Sequence, residues 1–304
     1  MDDKLAADTG MGAVTLRVAE LDRMIGYYTQ AVPLRLLAHE GPRAVLGRGT
    51  TPVVVLEHAP ELRHAGPREA GLFHTAILFD SEAALAAAVY SVATRAPGTF
   101  TGSADHLVSK AFYFTDPEGN GVELYWDRDR TQWSWTHGRI EMDTLYLDPQ
   151  AYLREHLDEA AAADPMIGLA RVGHVHLSVG DIRSAREFYV DRLGFDTTAR
   201  LGSSALFVSA GGYHHHMAMN TWNSAGAGRR ARTLGLGRVD ILLPTADDVG
   251  ALAERMRHHG ASVADDGRAL ELEDPWANVV RVGLAQPETE PATSIEPALP
   301  RPRS

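Results

Sequence analysis

The sequence predicts an α+β fold in which four βαβββ units follow one another along the chain. Two internal matches carry this prediction. Residues 13–37 align with residues 174–198, and each stretch has an alternating strand, an acidic helix start and an amphipathic helix with an aromatic pair. Residues 114–126 align with residues 272–284, where a strand ends in Asp-Pro and an apolar strand follows the turn. The chain therefore holds two copies of one domain.

Each copy contains the order strand, helix and three short strands twice. In the first copy the second set begins with the apolar strand at 71–80 and continues with an Ala-rich helix at 81–93. Its three short strands are predicted near 100–106, 110–115 and 121–126. The curved sheet of one unit forms half of a cup, so we expect units to pair into half-barrel sheets around a central pocket.

The domain boundaries follow from the repeats and from composition. The Pro- and Glu-rich end of the chain is typical of disorder, and the linker contains the helical pattern YLREHLDEAAAA. The predicted divisions are a disordered N-terminus at 1–10, a first domain at 11–128, a linker with a helix at 129–170, a second domain at 171–284, and a disordered tail at 285–304.

Composition restricts the class of protein. The net charge of −11 argues against nucleic acid as a partner, because phosphate backbones need a concentrated basic surface. The sequence has neither an apolar run of the ~18–20 residues that span a membrane nor the pattern of a secretory signal at its start. A cytoplasmic protein is expected, and self-association into a homo-oligomer stays open. With no cysteine, any metal must be held by His, Asp or Glu.

Four segments together resemble a known family. They are HVHLSVGDIRSAREFYVDRLGF, GLFHTAIL, DHLVSKAFYFTDPEGNGVELYWDR and SALFVSAGGYHHH. The sequence is similar to the vicinal oxygen chelate superfamily, which includes glyoxalases, bleomycin-resistance proteins and extradiol dioxygenases, and most of all to its two-domain, catechol 2,3-dioxygenase-like members. The resemblance covers roughly residues 11–284. It implies a metal site inside the cup and an aromatic diol as the substrate.

The resemblance also implies which residues bind the metal. Superfamily ligands lie on the first strand of one unit and on the first and last strands of another. Copy one retains His74 and Glu123, and copy two retains His174, so the two copies together complete one set of two histidines and a carboxylate. The matching positions without a ligand are Ala13 in copy one, and Arg238 or Val239 and Arg281 in copy two.

Such a set fits non-haem Fe(II), with Mn(II) as the alternative, and leaves positions open for the substrate and dioxygen. A lone histidine on a strand is more often structural than a ligand. His74 lies in an apolar strand, however, where an unpaired imidazole is costly. A carboxylate in the apolar context of Glu123 is unusual unless it is paired or metal-bound. These contexts favour a metal site.

Tyr113 and His106 precede the Glu123 strand on its neighbouring hairpin. In ring-cleaving members that resemble this chain, a Tyr at this spacing donates a hydrogen bond to the metal-bound substrate oxygen, and a His or Arg near the position of His106 acts similarly. Spacing alone does not show that these residues converge with Glu123. Tyr113 can instead pack within an aromatic strand, and His106 beside Asp105 can be a plain loop pair.

Three consecutive histidines follow the pair Gly211-Gly212 in a strand-like context. We expect adjacent strands at 204–210 and 213–220, and side chains alternate across a strand. His214 and His216 are then expected to face the cup as acid/base residues, a role that the resemblance implies, and His215 to face away. Replacing His214 or His216 with Ala is expected to lower turnover by ~10²-fold. A metal-free polar cluster is the alternative.

The function expected from the resemblance is an extradiol-type dioxygenase that cleaves a catechol or hydroquinone with dioxygen. Trp126 and Trp222 are candidates for lining the ring pocket. A glyoxalase-like isomerase or lyase is the alternative enzyme, but such enzymes usually use four protein ligands. A drug-binding protein of the same fold would need no ligand set.

Overall fold

The computed structural model describes residues 4–136 and 139–285, and it contains four βαβββ units in chain order. Unit one comprises β1 (Gly10–Val18), α1 (Leu21–Gly26), β2 (Arg35–Glu40), β3 (Arg43–Arg48) and β4 (Thr51–His58). Unit two comprises β5 (Gly71–Phe79), α2 (Glu82–Arg95), β6 (Phe100–Asp105), β7 (Ser109–Thr115) and β8 (Gly121–Asp127). The three short strands predicted for unit two are confirmed.

A linker and two further units follow. The linker holds the two-residue strands β9 (Trp135–Thr136), β10 (Arg139–Ile140) and β11 (Leu145–Tyr146) and the helices α3 (Pro149–His156) and α4 (Glu159–Ala163). Unit three comprises β12 (Ala170–Ser178), α5 (Ile182–Arg186), β13 (Asp196–Leu201), β14 (Ala205–Ser209) and β15 (Met217–Asn220). Unit four comprises β16 (Gly235–Leu243), α6 (Ala246–His258), β17 (Ala264–Asp265), β18 (Ala269–Glu273) and β19 (Val279–Leu284).

The units pair into two curved sheets. One sheet has the order β11-β6-β7-β8-β5-β12-β15-β14-β13 and joins units two and three. The other has the order β17-β18-β19-β16-β1-β4-β3-β2 and joins units four and one. The two sheets are named here by their central antiparallel pairs, the β5–β12 sheet and the β1–β16 sheet. The predicted α+β class is confirmed, and each sheet takes one unit from each sequence copy.

Alternating side chains place the core on one face of each sheet. In β1, Val14, Leu16 and Val18 are fully buried in the main apolar cluster, while Thr15 and Arg17 point to the opposite face. Burying one such aliphatic side chain contributes about 1.5–3 kcal/mol. The apolar face of each sheet therefore packs into the core, and the opposite face can present polar side chains.

A repeated hydrogen bond explains the two Asp-Pro motifs. The Tyr28 hydroxyl donates to Asp116 at 3.1 Å, and the Tyr189 hydroxyl donates to Asp274 at 3.1 Å. Each carboxylate also accepts backbone N–H groups within its own turn. In each aromatic pair, the second residue therefore links its own unit to the next unit along the chain. These contacts link units within a sequence copy, whereas the sheets link units between copies.

The N-terminal segment differs from the prediction. Residues 4–10 are not a disordered end, because the Leu5 N–H donates to the Gly194 carbonyl at 2.9 Å and Lys4 pairs with Asp196 at 2.9 Å. Leu5 is buried in the main core, so one apolar side chain anchors the segment. The predicted disordered tail lies, apart from residue 285, outside the described residues. In the described ranges, no helix has the length and apolar character to cross a membrane.

Candidate metal centre

The three predicted ligands lie on three adjacent strands. β8 is parallel to β5, and β12 is antiparallel to β5, so β5 lies between the other two. Ala76 on β5 is the register partner of both Glu123 and His174, and His74 lies two residues before Ala76 on the same face. The small, fully buried Ala76 side chain leaves room for the three larger side chains above the strand.

The ligand atoms converge in a buried cluster. Oε2 of Glu123 lies 2.9 Å from Nε2 of His74 and 3.3 Å from Nε2 of His174, and one ligand atom from each residue lies within 4.8 Å of the others. His74 Nε2 faces the carboxylate without hydrogen-bond geometry and has no other partner among the described residues. His174 Nδ1 is likewise without a hydrogen-bond partner among the described residues. Two imidazoles and a carboxylate around one point, with two buried nitrogens unsatisfied, fit a first-row divalent ion.

Electrostatics favour the charge states that metal ligands need. Burial alone raises the pKa of Glu123, but the neighbouring His174 and His74 hold this pKa well below its usual value. Burial lowers the pKa of His174 to about 4, against the opposing effect of the Glu123 charge. The site thus presents a carboxylate and a neutral imidazole, the forms in which Glu and His bind metal.

Tyr113 and His106 converge on the same centre. Tyr113 on β7 is the register partner of Glu123 on β8, and its hydroxyl lies 2.7 Å from His106 Nε2. The other ring nitrogen of His106 lies 2.8 Å from the Asp143 carbonyl, which holds the imidazole in place. Burial and the Glu123 charge raise the pKa of Tyr113 well above its usual value, so its hydroxyl keeps its proton. The neighbouring Asp105 carboxylate accepts from the Leu107 N–H, whereas the His106 ring bonds to Tyr113 and Asp143.

The histidine run does not follow the strand alternation predicted for it. β15 begins at Met217, so residues 213–216 form an irregular segment after two glycines with φ of +61° and +67°. His215 lines the central cavity, and its ring centroid lies 4.1 Å from that of His174. The prediction that His214 and His216 face the cup and His215 faces away is wrong, because strand periodicity does not apply outside the strand.

His214 and His216 have different surroundings. His214 is completely buried; its Nδ1 lies 2.7 Å from His215 Nδ1 and its Nε2 lies 2.8 Å from Asp127 Oδ1. His216 Nδ1 accepts a hydrogen bond from the Ala210 N–H at 3.3 Å, which closes the glycine turn. Burial, reinforced by nearby histidines, lowers the pKa of His216 to about 3, so the ring stays neutral in this acceptor role.

A cavity of about 970 Å³ lies over the ligands, with His74, Glu123 and His174 in its wall. Phe73, His176 and Trp222 form an aromatic wall, with ring centroids 4.9–5.4 Å apart. Trp222 therefore lines the cavity as predicted. Trp126 does not: it packs against the main core, with the Lys110 ammonium 5.9 Å from its ring centroid.

Several residues at the site were not predicted from the sequence. His176 follows His174 by two residues, so strand periodicity could have placed it on the same face. Its Nε2 accepts from the Asn220 amide at 3.0 Å. Asp127 and Tyr213 carry no comparable local signal, because their contact joins units two and three across the sheet.

The β1–β16 sheet carries other side chains at the matching positions. Arg238 pairs with Asp240 at 2.6 Å, and Arg281 lies 3.8 Å from Asp266. Within residues 4–136 and 139–285, the single group of three side chains arranged to hold an ion is the one in the β5–β12 sheet. In the β1–β16 sheet, Arg238 and Arg281 thus lie beside carboxylates.

Comparisons with known proteins agree with this architecture. The model of the glyoxalase/bleomycin resistance protein/dioxygenase superfamily matches residues 10–124 and 171–270. A catechol-2,3-dioxygenase of Bacillus subtilis (strain 168) is 35% identical over 277 residues, which cover 88% of this chain and 94% of that protein.

Solved structures resemble the chain in fold. One is a Bacillus subtilis strain 168 protein provisionally described as a dioxygenase, with a TM-score of 0.63, 14% identity and coverage of 93% of this chain and 87% of that one. Another is glyoxalase I from Zea mays, with a TM-score of 0.55, 17% identity and coverage of 91% and 92%. At these identities the likeness concerns the fold alone.

Proposed function

Because the chain belongs to the glyoxalase/bleomycin resistance protein/dioxygenase superfamily, we propose that it is an extradiol-type dioxygenase that cleaves a catechol or hydroquinone with dioxygen. The observation that carries this proposal is the convergence of two histidines and one carboxylate in the wall of a single cavity. The identity of 35% with a catechol-2,3-dioxygenase supports the same reaction class.

We propose that His74, Glu123 and His174 hold non-haem Fe(II), with Mn(II) as the alternative. The donor set fits either ion, since three protein ligands leave adjacent positions open. When bound, the ion supplies a Lewis-acidic, redox-active centre at which the diol oxygens and dioxygen can meet. A glyoxalase-like metal site would use a fourth protein ligand, for which the described residues offer no second carboxylate in the cluster.

The protein's own groups bind and orient the diol. His106 Nδ1–H donates to the Asp143 carbonyl, so His106 Nε2 accepts a hydrogen bond from the Tyr113 hydroxyl, which retains its proton. The Tyr113 oxygen is then suited to accept a hydrogen bond from a substrate hydroxyl. The aromatic wall of Phe73, His176 and Trp222 is suited to pack against the ring. These contacts hold the ring in one orientation and exclude water from its faces.

Proton transfer is assigned to His215 in place of His214 and His216. His215 lines the cavity beside His174, whereas His214 has no exposed surface and His216 closes a turn. Burial, with neighbouring histidines, lowers the pKa of His215 well below its usual value, so the ring is neutral before substrate binds. A neutral imidazole can take a proton from a bound diol and return it to the product.

The proposal is tested by reconstituting the protein anaerobically with Fe(II) and then adding a panel of catechols and hydroquinones in oxygenated buffer. The expected result is oxygen uptake together with the yellow colour of a ring-cleaved product. The Glu123→Gln variant, prepared in parallel, is expected to give neither. An Fe(II)-loaded protein that consumes no oxygen with any diol of the panel would contradict the proposed reaction.

A further inference from the structure

We propose that Asp127 and His214 are positioning residues that fix the tautomer of His215, so that its Nε2 faces the cavity as a proton acceptor. The catalytic meaning of this arrangement rests on the proposed function. The arrangement itself is a property of the hydrogen bonds within the chain and can be tested without turnover.

A continuous chain of buried and part-buried hydrogen bonds carries the inference. His215 Nδ1 lies 2.7 Å from His214 Nδ1, and His214 Nε2 lies 2.8 Å from Asp127 Oδ1. The other oxygen of Asp127 accepts from the Tyr213 hydroxyl at 2.7 Å, and that hydroxyl lies 2.8 Å from the Tyr125 hydroxyl. The five side chains come from units two and three, so the chain crosses the middle of the β5–β12 sheet.

Counting protons along this chain fixes each direction. An ionised carboxylate only accepts, so His214 must donate to Asp127 through Nε2–H. With one proton on its ring, His214 then presents Nδ1 as an acceptor. His215 must therefore donate through Nδ1–H, which leaves the lone pair on its Nε2. The same logic lets Tyr125 donate to Tyr213, because the Tyr213 proton is directed to Asp127.

The surroundings of the two rings separate their roles. His215 lines the cavity, and its Nε2 makes no hydrogen bond to the described residues. His214 has no exposed surface, and its backbone carbonyl accepts from the Thr198 hydroxyl at 2.6 Å. A substrate therefore cannot reach His214, so His214 can act only through its neighbours, and His215 is the neighbour hydrogen-bonded to it that lines the cavity. A carboxylate that orients a base through a ring N–H is a known way to set an imidazole tautomer.

Nitrogen NMR of the metal-free protein tests the tautomer directly. Long-range ¹H–¹⁵N correlations of ¹⁵N-histidine-labelled protein distinguish protonated from unprotonated ring nitrogens, and His214→Gln and His215→Ala assign the two signals. We expect His215 to be protonated at Nδ1 and His214 at Nε2. A proton on Nε2 of His215 would overturn the inference. This readout needs neither iron nor substrate, so its failure is distinct from failure of the proposed reaction.

Two substitutions at His214 separate positioning from direct proton transfer. Gln can still donate to Asp127 and accept from His215, whereas Leu can do neither, and neither side chain is a base. We expect His214→Leu to lower kcat by ~10²-fold with little change in KM, and His214→Gln to recover about tenfold of that loss. Equal losses in both variants, with metal content unchanged, would contradict the positioning role.

Asp127→Asn provides an independent variant if His214→Leu does not fold. The Asn side chain retains the shape of Asp127 but can offer an N–H to His214, which would reverse the donor order along the chain. We expect the His215 signals to show a proton on Nε2 in at least part of the population. Unchanged His215 signals in this variant would show that Asp127 does not set the tautomer.

Discussion

The β5–β12 sheet and the β1–β16 sheet have the same construction but different chemistry. Each joins a unit from the first sequence copy to a unit from the second through a central antiparallel strand pair. The difference lies in the side chains that stand above the central strands. The β5–β12 sheet has His74, Glu123 and His174, and the β1–β16 sheet has Ala13, Arg238 and Arg281 at the corresponding positions.

This difference shows that the fold supplies positions and the side chains supply the site. Arginines paired with carboxylates cannot ligate a cation, because a guanidinium is always charged and only donates hydrogen bonds. Two imidazoles beside one carboxylate can, because they offer nitrogen and oxygen lone pairs. The β1–β16 sheet therefore serves as the structural counterpart against which the role of each group in the β5–β12 sheet can be measured.

The largest expected effect comes from the same substitution made at matching positions of the two sheets. Glu123→Gln removes the anionic ligand, so we expect loss of most bound Fe(II) and of ring cleavage. Arg281→Gln in the β1–β16 sheet is the matched control and is expected to retain both. Metal analysis after Fe(II) reconstitution and dialysis measures the comparison. Equal metal loss in the two variants would show that the sheets do not differ as described.

The next effect concerns the cavity histidine. His215→Ala is expected to lower turnover by ~10²-fold while the metal is retained, because an acid/base group is lost but no ligand is removed. His39→Ala, on the exposed edge strand β2 of the other sheet, is the control and is expected to turn over as the parent does. Steady-state kinetics with metal-normalised enzyme decide the matter. Undiminished turnover in His215→Ala would show that His215 is not the acid/base residue.

A smaller effect is expected from two matching glycines. A Cβ at Gly173 would lie 1.7 Å from the Tyr125 hydroxyl, whereas a Cβ at Gly12 would lie 2.9 Å from the Asp240 Cβ. Tyr125 is fully buried and hydrogen-bonded to Tyr213, so it has little room to move. We expect Gly173→Ala to lower the free energy of unfolding by about 1–3 kcal/mol, and Gly12→Ala by less. Urea unfolding of both variants measures the two losses. A larger loss in Gly12→Ala than in Gly173→Ala would contradict the described packing of Tyr125 against Gly173.

The smallest effect should be equal in the two copies. Tyr28→Phe and Tyr189→Phe each remove one hydroxyl that donates to a buried Asp-Pro carboxylate at 3.1 Å. Each carboxylate keeps its other donors, so we expect a loss of roughly 0.5–1.5 kcal/mol in either variant. Thermal unfolding of the two variants side by side measures this. A loss several times larger in one copy would mean that the two turns are not equivalent.

Much of the fold was accessible from the sequence because its signals are local. The alternating strands, the aromatic pair of each first helix and the Asp-Pro turns repeat along the chain, and each corresponds to a structural element. His74, Glu123 and His174 could be proposed as a group because the resemblance to the superfamily assigns ligands to strand positions that these residues occupy. These side chains converge because β5 of the first copy pairs with β12 of the second. Neither copy alone indicates this pairing; it is indicated only when the ligands retained in the two copies are considered as one set.

The histidine run could not be placed from its sequence. Gly211 and Gly212 take a left-handed backbone, and the chain joins the sheet again only at Met217. Nothing in the residue pattern marks where pairing resumes, and a shift of one residue exchanges the two faces of a strand. The partners of His214 and Tyr213 lie on β8, far away in the sequence, so local periodicity carries no information about them.

Anomalous diffraction at the iron edge, on crystals of the Fe(II)-reconstituted protein, tests the central claim most directly. We predict one strong peak within about 2.0–2.3 Å of nitrogens of His74 and His174 and of an oxygen of Glu123. We predict no peak above the arginine-bearing face of the β1–β16 sheet. A peak ligated by other side chains, or one in which His174 does not take part, would contradict the account of a single site completed by both copies.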